Sequence, residues 1–193
     1  MQRRWMMWIV ATALLGACNP NAVAEETASN TKDKQPDVIF VPTPEPIVNK
    51  MLTMAKVTKD DVVYDLGCGD GRIAISAVRD FGAKRAVCVD IDPQRIREAR
   101  ENVKKAGLEG KVEVRHADLF KTDISPATVV TLYLLESLNV KLRPKLEKEL
   151  RPGARIVSQT FSMGEWKPEE QVAVNGTPVY LWRTGQGEAT AKR

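Results

Sequence analysis

Histidine is nearly missing from this 193-residue chain, and other chemically distinctive side chains are scarce: one His, three Cys, three Tyr and four Phe. With His116 alone, no catalytic triad and no His-based metal cluster can be assembled, and a histidine at a strand end serves structure more often than proton transfer. Cys68 and Cys88 lack metal-ligand spacing and form no disulfide framework, so they read as small buried residues of a reduced domain. No uninterrupted apolar run reaches the roughly 20 residues of a membrane-spanning helix. Nor is there an excess of one charge: 29 Lys and Arg face 25 Asp and Glu, a net of +4. Without Arg3 and Arg4 the balance is 27 to 25, a net of +2, and charge gives no indication of a nucleic-acid partner. Twelve Gly, 11 Pro and 43% apolar residues suit one globular core, and they exclude collagenous or low-complexity chains.

The N-terminus stands apart. Arg3 and Arg4 precede an apolar stretch over residues 5–17, the pattern of a secretory signal. Leu15-Gly16-Ala17-Cys18 resembles a bacterial lipobox, in which the cysteine is acylated; Ala22-Val23-Ala24 fits ordinary cleavage after Ala24. Residues 1–24 therefore read as a signal peptide, and residues 25–36 as a flexible polar tether. Residues 37–183 form the domain and residues 184–193 a polar tail.

Within the domain, prolines at 42, 44 and 46 make a loop, and a helix follows over 47–57. Strands at 62–66, 86–89, 112–114, 128–134 and 154–160 are separated by helices at 72–81, 93–106 and 136–150. Residues 171–174 and 179–182 flank Asn175-Gly176 as an antiparallel hairpin. Strands joined through helices of this length imply parallel pairing. The predicted fold is α/β: a doubly wound, mostly parallel seven-stranded sheet closed by a C-terminal hairpin.

In such a sheet ligands sit beyond the C-terminal strand ends, where three acids gather. Asp65 precedes a turn containing Gly67, Gly69 and Gly71, which permits sharp bends and close approach of a ligand to the main chain. Its G-x-G-x-G spacing is not the G-x-G-x-x-G of dinucleotide folds, and no P-loop Lys-Ser or Lys-Thr follows. Such a turn can also merely join a strand to a helix. Asp90 ends the second strand, where an acid can accept both hydroxyls of a ribose. Asp118 follows the third, where it can meet an adenine edge. Asp92 rivals Asp90 but suits an N-cap better. Together these acids describe an adenosine pocket without phosphate recognition.

The motifs Asp65-Leu-Gly-Cys-Gly-Asp-Gly-Arg, Val89-Asp90-Ile-Asp-Pro and Ala117-Asp118-Leu-Phe resemble those of class I, seven-strand S-adenosylmethionine-dependent methyltransferases. Val41-Pro-Thr-Pro, Val129-Val-Thr-Leu-Tyr-Leu-Leu, Leu142-Arg-Pro-Lys-Leu, Leu150-Arg-Pro-Gly and Tyr180-Leu-Trp are similar to one subgroup. These are small bacterial relatives of the mitochondrial lysine methyltransferases acting on the ATP synthase c subunit and the adenine nucleotide translocase. The resemblance implies S-adenosylmethionine as cofactor and a protein lysine as acceptor. It places Asp65, Gly67, Gly69 and Gly71 at the methionine end, Asp90 at the ribose, Asp118 at the adenine and Thr43 in a lid. Tyr133 would face the methyl group and acceptor, unless it is a core tyrosine. The strip Lys141, Arg143, Lys145, Lys148 and Arg151, interleaved with Glu147 and Glu149, reads as a solvated helix face.

An exported or membrane-anchored methyltransferase poses a conflict, because S-adenosylmethionine is not expected outside the cytoplasm. An exported binding module without turnover, or a methyltransferase acting on RNA or a small molecule, remains the alternative.

Overall fold

The computed structural model describes residues 39–185; the segment read as a signal peptide, Cys18, the stretch read as a tether and most of the stretch read as a polar tail lie outside the described residues. Seven strands run β1 (Val62–Leu66), β2 (Arg85–Asp90), β3 (Val112–His116), β4 (Val129–Leu132), β5 (Arg155–Gln159), β6 (Glu170–Val174) and β7 (Thr177–Arg183). They form one sheet in the order β3-β2-β1-β4-β5-β7-β6. The first five are parallel; β7 runs antiparallel to β5, and β6 to β7. Reversal of direction in the order β2-β1-β4 opens a crevice between the ends of β1 and β4.

Helices α1 (Glu45–Met54), α2 (Arg72–Arg79) and α3 (Pro93–Lys105) cover one sheet face, and α4 (Glu136–Glu149) the other. Strand alternation explains the two cores. Val63, Ala86, Cys88, Val129 and Val157 pack with Met51, Leu52, Ala74 and Ala99, while Leu66, Val87, Val130, Leu132 and Ile156 pack with Leu142 and Leu146. By the same alternation Asp65, Thr131 and Asp90 share the face of Cys88. Helix α4 continues through Pro144, whose missing N–H deprives the Val140 carbonyl of its partner; both residues lie on the exposed side, where water can replace it.

Two expectations are corrected. Strand β4 ends at Leu132 rather than at residue 134, because Tyr133 and Leu134 leave the ladder to line the crevice. Cys68 and Cys88 are not free thiols: they form a disulfide with Cα atoms 5.3 Å apart. The 20-residue separation is bridged because parallel pairing of β1 with β2 brings the turn after β1 over the middle of β2. Closing such a loop reduces the entropy of the unfolded chain by about 3 kcal/mol in the chain-entropy account. Just beyond β7, Thr184 is buried and its hydroxyl donates to the Arg151 carbonyl at 2.6 Å.

Candidate active site

The crevice gathers most of the residues singled out above. Thr43, Asp65, Gly67, Asp90, Asp118 and Tyr133 line one pocket. Gly69 and Gly71 do not line it; they shape the turn beneath. All three glycines have left-handed φ, +81°, +56° and +81° in chain order, which side chains on L-residues resist. Their missing Cβ atoms serve different neighbours. One on Gly71 would stand 3.3 Å from Cβ of Ala99, so this glycine lets α3 approach the turn. One on Gly69 would stand 2.1 Å from Phe40, whose ring therefore lies flush on the turn. Gly69→Ala is expected to displace Phe40, lower Tm by a few degrees and raise the KM for the methyl donor roughly tenfold, as thermal melts and initial rates would show.

Asp90 is held by backbone amides: Gly69 N donates to Oδ2 at 2.8 Å and Asp92 N to Oδ1 at 2.9 Å. Each oxygen keeps a lone pair for the pocket, so the carboxylate is oriented to accept two neighbouring hydroxyls. Burial pushes its pKa up, opposed chiefly by the amides of Asp92 and Gly69. Asp92 caps α3, accepting from Gln94 N at 2.7 Å, which leaves Asp90 as the pocket acid. Asp118 accepts from Phe120 N at 2.9 Å, and His116 Nε2 is tied to the Ile91 carbonyl at 2.9 Å. The His116 bond and the Ala117 N–H, which donates to the Asp90 carbonyl at 2.9 Å, fix the β2 and β3 ends side by side.

The two aspartates at opposite ends of β1 differ in kind. Burial pushes Asp61 up, but bonds from Thr128, Arg155 and Thr58 outweigh it and hold the carboxyl below its ordinary range. That is a satisfied structural acid. Asp65, 2% exposed, accepts one bond at Oδ1 from the Thr131 hydroxyl (2.8 Å), while its buried Oδ2 has no partner. Burial pushes its pKa up to about 7; Thr131 opposes this, and the charges of Asp90 and Asp70 add to it. A buried, unpaired acceptor lining a pocket is where a cationic donor belongs.

Sequence reasoning missed several contributors. Arg72, to which the motif assigns no role, pairs its guanidinium with Asp70 (2.6 Å) and donates through Nη1 to the Thr43 carbonyl at 2.9 Å, tying the Pro-Thr-Pro loop to the turn. Arg95 lies 4.6 Å from the centre of the Phe40 ring. Phe161, not itself among the lining residues, stacks on Tyr133 with ring centroids 6.4 Å apart. Asn139, fully buried on α4, donates to the Phe161 and Ser162 carbonyls at 3.1 Å each, and the β-branched Thr160 before them takes φ +67°. No spacing rule in the sequence singles out Phe161.

A family model of the ANTKMT methyltransferase domain matches residues 65–170. The chain belongs to this family. It is an S-adenosylmethionine-dependent methyltransferase. A protein-lysine N-methyltransferase of Saccharolobus islandicus is 50% identical over 78% of this chain and 96% of its own. The adenine nucleotide translocase lysine N-methyltransferase of mouse is 36% identical over 59% of this chain, which spans only 48% of that protein. A crystal structure of an RNA methyltransferase from Salinibacter ruber, in complex with S-adenosyl-L-homocysteine, is 53% identical and superposes with a TM-score of 0.74, covering 76% of this chain and 95% of that one.

The methyltransferase's pocket suits such a cofactor. Oδ2 of Asp65 lacks the donor that an amino-acid ammonium supplies, and Asp90 offers paired acceptors for a ribose. Among the described residues no group of three or more His, Cys, Asp and Glu has the arrangement of a metal site, and no helix is long and apolar enough to cross a membrane.

Proposed function

We propose that this methyltransferase modifies a protein lysine. The observation that carries the reading is the aromatic and apolar side of the pocket beyond the acids, where Tyr133, backed by Phe161, lies with Leu134 and Leu138. S-adenosylmethionine supplies a methyl group on a sulfonium, an electrophile that needs no metal. Asp65 holds the amino-acid end, Asp90 the ribose, and Asp118 with its neighbouring backbone the adenine. The Thr43 loop, fastened by Arg72, and the Phe40 ring close the pocket against water. What remains for the protein is to align a nucleophile and exclude solvent.

A lysine must present a neutral amine, and the Tyr133–Phe161 wall favours this by desolvating the ammonium and lowering its pKa. After β4 the chain reads Leu132-Tyr133-Leu134-Leu135, lacking the Asn/Asp-Pro-Pro signature that grips amide or base nitrogens. The lysine-specific names of the Saccharolobus and mouse relatives support the same reading. RNA is the second reading, supported by the description of the Salinibacter ruber protein; the near-balanced charge speaks against it.

Labelled S-adenosylmethionine offered to protein and RNA fractions of one cell type separates the two. Label destroyed by protease and resistant to ribonuclease is expected; the reverse would reject the lysine reading. In the same assay Tyr133→Ala should cut kcat/KM for the acceptor roughly 10- to 100-fold while changing S-adenosylhomocysteine affinity less than threefold. Tyr133→Phe, which keeps the ring, should stay near wild type.

We also propose that residues 1–17 direct export of the enzyme and that Cys18, at the lipobox, carries a lipid anchor. The Arg pair, the apolar run, the Leu-Gly-Ala-Cys sequence and a disulfide-bonded domain suited to an oxidising compartment support this. Cys18→Ala should move the protein from the membrane to the soluble fraction; an unchanged distribution contradicts the anchor.

A further inference from the structure

The only disulfide among the described residues lies inside the cofactor-binding apparatus. Cys88 stands directly opposite Asp65 in the parallel register of β1 and β2, and Cys68 is the second residue of the turn following β1. Two residues beyond Cys88, on the same strand face, is Asp90; one residue beyond Cys68 is Gly69, whose amide donates to Asp90 Oδ2 at 2.8 Å. The bond therefore closes a short circuit through Asp90, with Asp65 directly opposite its Cys88 corner.

The turn needs such fastening. Its three left-handed glycines have the most backbone freedom to lose on ordering. Apart from the sulfur link and the Gly69–Asp90 bond, it is joined to β2 by Gly67 N and Cys68 N, which share the Val89 carbonyl at 2.8 and 3.1 Å. The two sulfurs differ in access. Cys88 has no exposed surface, whereas Cys68 is 6% exposed and lines the pocket.

We propose that the Cys68–Cys88 disulfide is a positioning element of the cofactor site, and that the oxidised protein is the fully competent one. The bond sets the glycine turn against β2, so that the turn amides, Asp65 and Asp90 are in place before the cofactor arrives and less ordering entropy opposes binding. This rests on the cofactor reading given above. A dithiol opens the bond in a two-electron exchange. Its thiolate attacks Cys68 Sγ, the S–S electron pair leaves on Cys88 Sγ, which takes a proton, and the second thiol of the reductant then displaces Cys68 as a thiol. The reductant ends as a cyclic disulfide. Because the bond favours binding, bound cofactor by reciprocity favours the oxidised pair at equilibrium; separately, a cofactor filling the pocket covers Cys68 and slows attack on it.

The test uses the full-length protein isolated without reductant. Peptide mapping should recover a linked Cys68–Cys88 pair. Reduction with dithiothreitol should weaken S-adenosylhomocysteine binding about tenfold by calorimetry, with an unchanged far-ultraviolet circular dichroism spectrum, and reoxidation should restore it. The KM for S-adenosylmethionine should rise accordingly with kcat unaltered, and S-adenosylhomocysteine should slow the reduction itself about tenfold. Cys68→Ala combined with Cys88→Ala should bind like the reduced wild type and ignore dithiothreitol. If that variant does not fold, the reduction cycle of the wild type still decides. Equal affinities of folded oxidised and reduced wild type, or no linked peptide, overturn the proposal. Failure of both forms to bind S-adenosylhomocysteine overturns the cofactor reading instead.

Discussion

Asp90→Ala is expected to weaken S-adenosylhomocysteine binding at least a hundredfold and to leave no measurable methyl transfer. The carboxylate does two things at once. It accepts the Gly69 and Asp92 amides, which hold the glycine turn on β2, and it turns its remaining lone pairs toward the pocket. Two charge-assisted hydrogen bonds to a ribose, at about 1.5–3 kcal/mol each, amount to a factor of 10² or more. Asp90→Asn separates the roles, since the amide keeps one acceptor but loses the charge and the second acceptor. It should bind roughly tenfold or more weaker than wild type, yet better than the alanine variant. Calorimetry on all three proteins checks the order, and unaltered affinity in Asp90→Ala would remove this residue from the site.

Asp65→Asn should move stability and binding in opposite directions. In the free protein burial raises the Asp65 pKa to about 7, while the unfolded chain has the ordinary value near 4. A raised folded-state pKa makes ionisation costly to the fold. The stability present at low pH is lost progressively as pH rises from about 4 and is fully lost once pH passes 7. A rise of that size corresponds to a cost on the order of 4 kcal/mol as an upper bound. Asparagine removes this cost while Oδ1 still accepts from Thr131, so the variant should melt roughly 5 °C or more above wild type at pH 8 and close to it near pH 4. It also deprives a cofactor ammonium of its anion, which should weaken S-adenosylhomocysteine binding on the order of 30- to 100-fold at pH 8. In the wild type, affinity should fall up to about tenfold per pH unit as pH drops below 7, because the carboxylate must first lose its proton; in Asp65→Asn that dependence should vanish. Parallel melts at pH 4 and 8 and titrations at pH 6 and 8 measure both signs.

Much of this arrangement is legible in the sequence because it is local. The alternating residues of β1 and β2, Pro93 opening α3 and Gly107 just beyond its end, and Asn175-Gly176 between β6 and β7 each declare their element within a few residues. The pocket acids are legible for the same reason: each stands at or beside the end of a strand, and parallel topology brings such ends together. The acceptor wall is not. Phe161 reaches Tyr133 only because Thr160 takes a left-handed turn and Asn139, from another element, holds the following carbonyls. The disulfide escapes the sequence likewise, since Cys68 and Cys88 meet only through the β1–β2 register. Arg72 shows how a residue at the end of a motif, with no role of its own in it, can carry a contact that only the fold creates, here the fastening of the Thr43 loop.

The central claim is that a methyl group passes from S-adenosylmethionine to a lysine Nζ at the Tyr133–Phe161 wall. Its most direct measurement is complete acid hydrolysis of protein labelled by this enzyme with S-adenosyl-[methyl-¹⁴C]methionine, followed by amino-acid chromatography. Radioactivity co-eluting with methylated lysine, and absent with Asp90→Ala, is the predicted result. Radioactivity in any other amino acid, or only in nucleosides of a parallel RNA digest, would contradict the account.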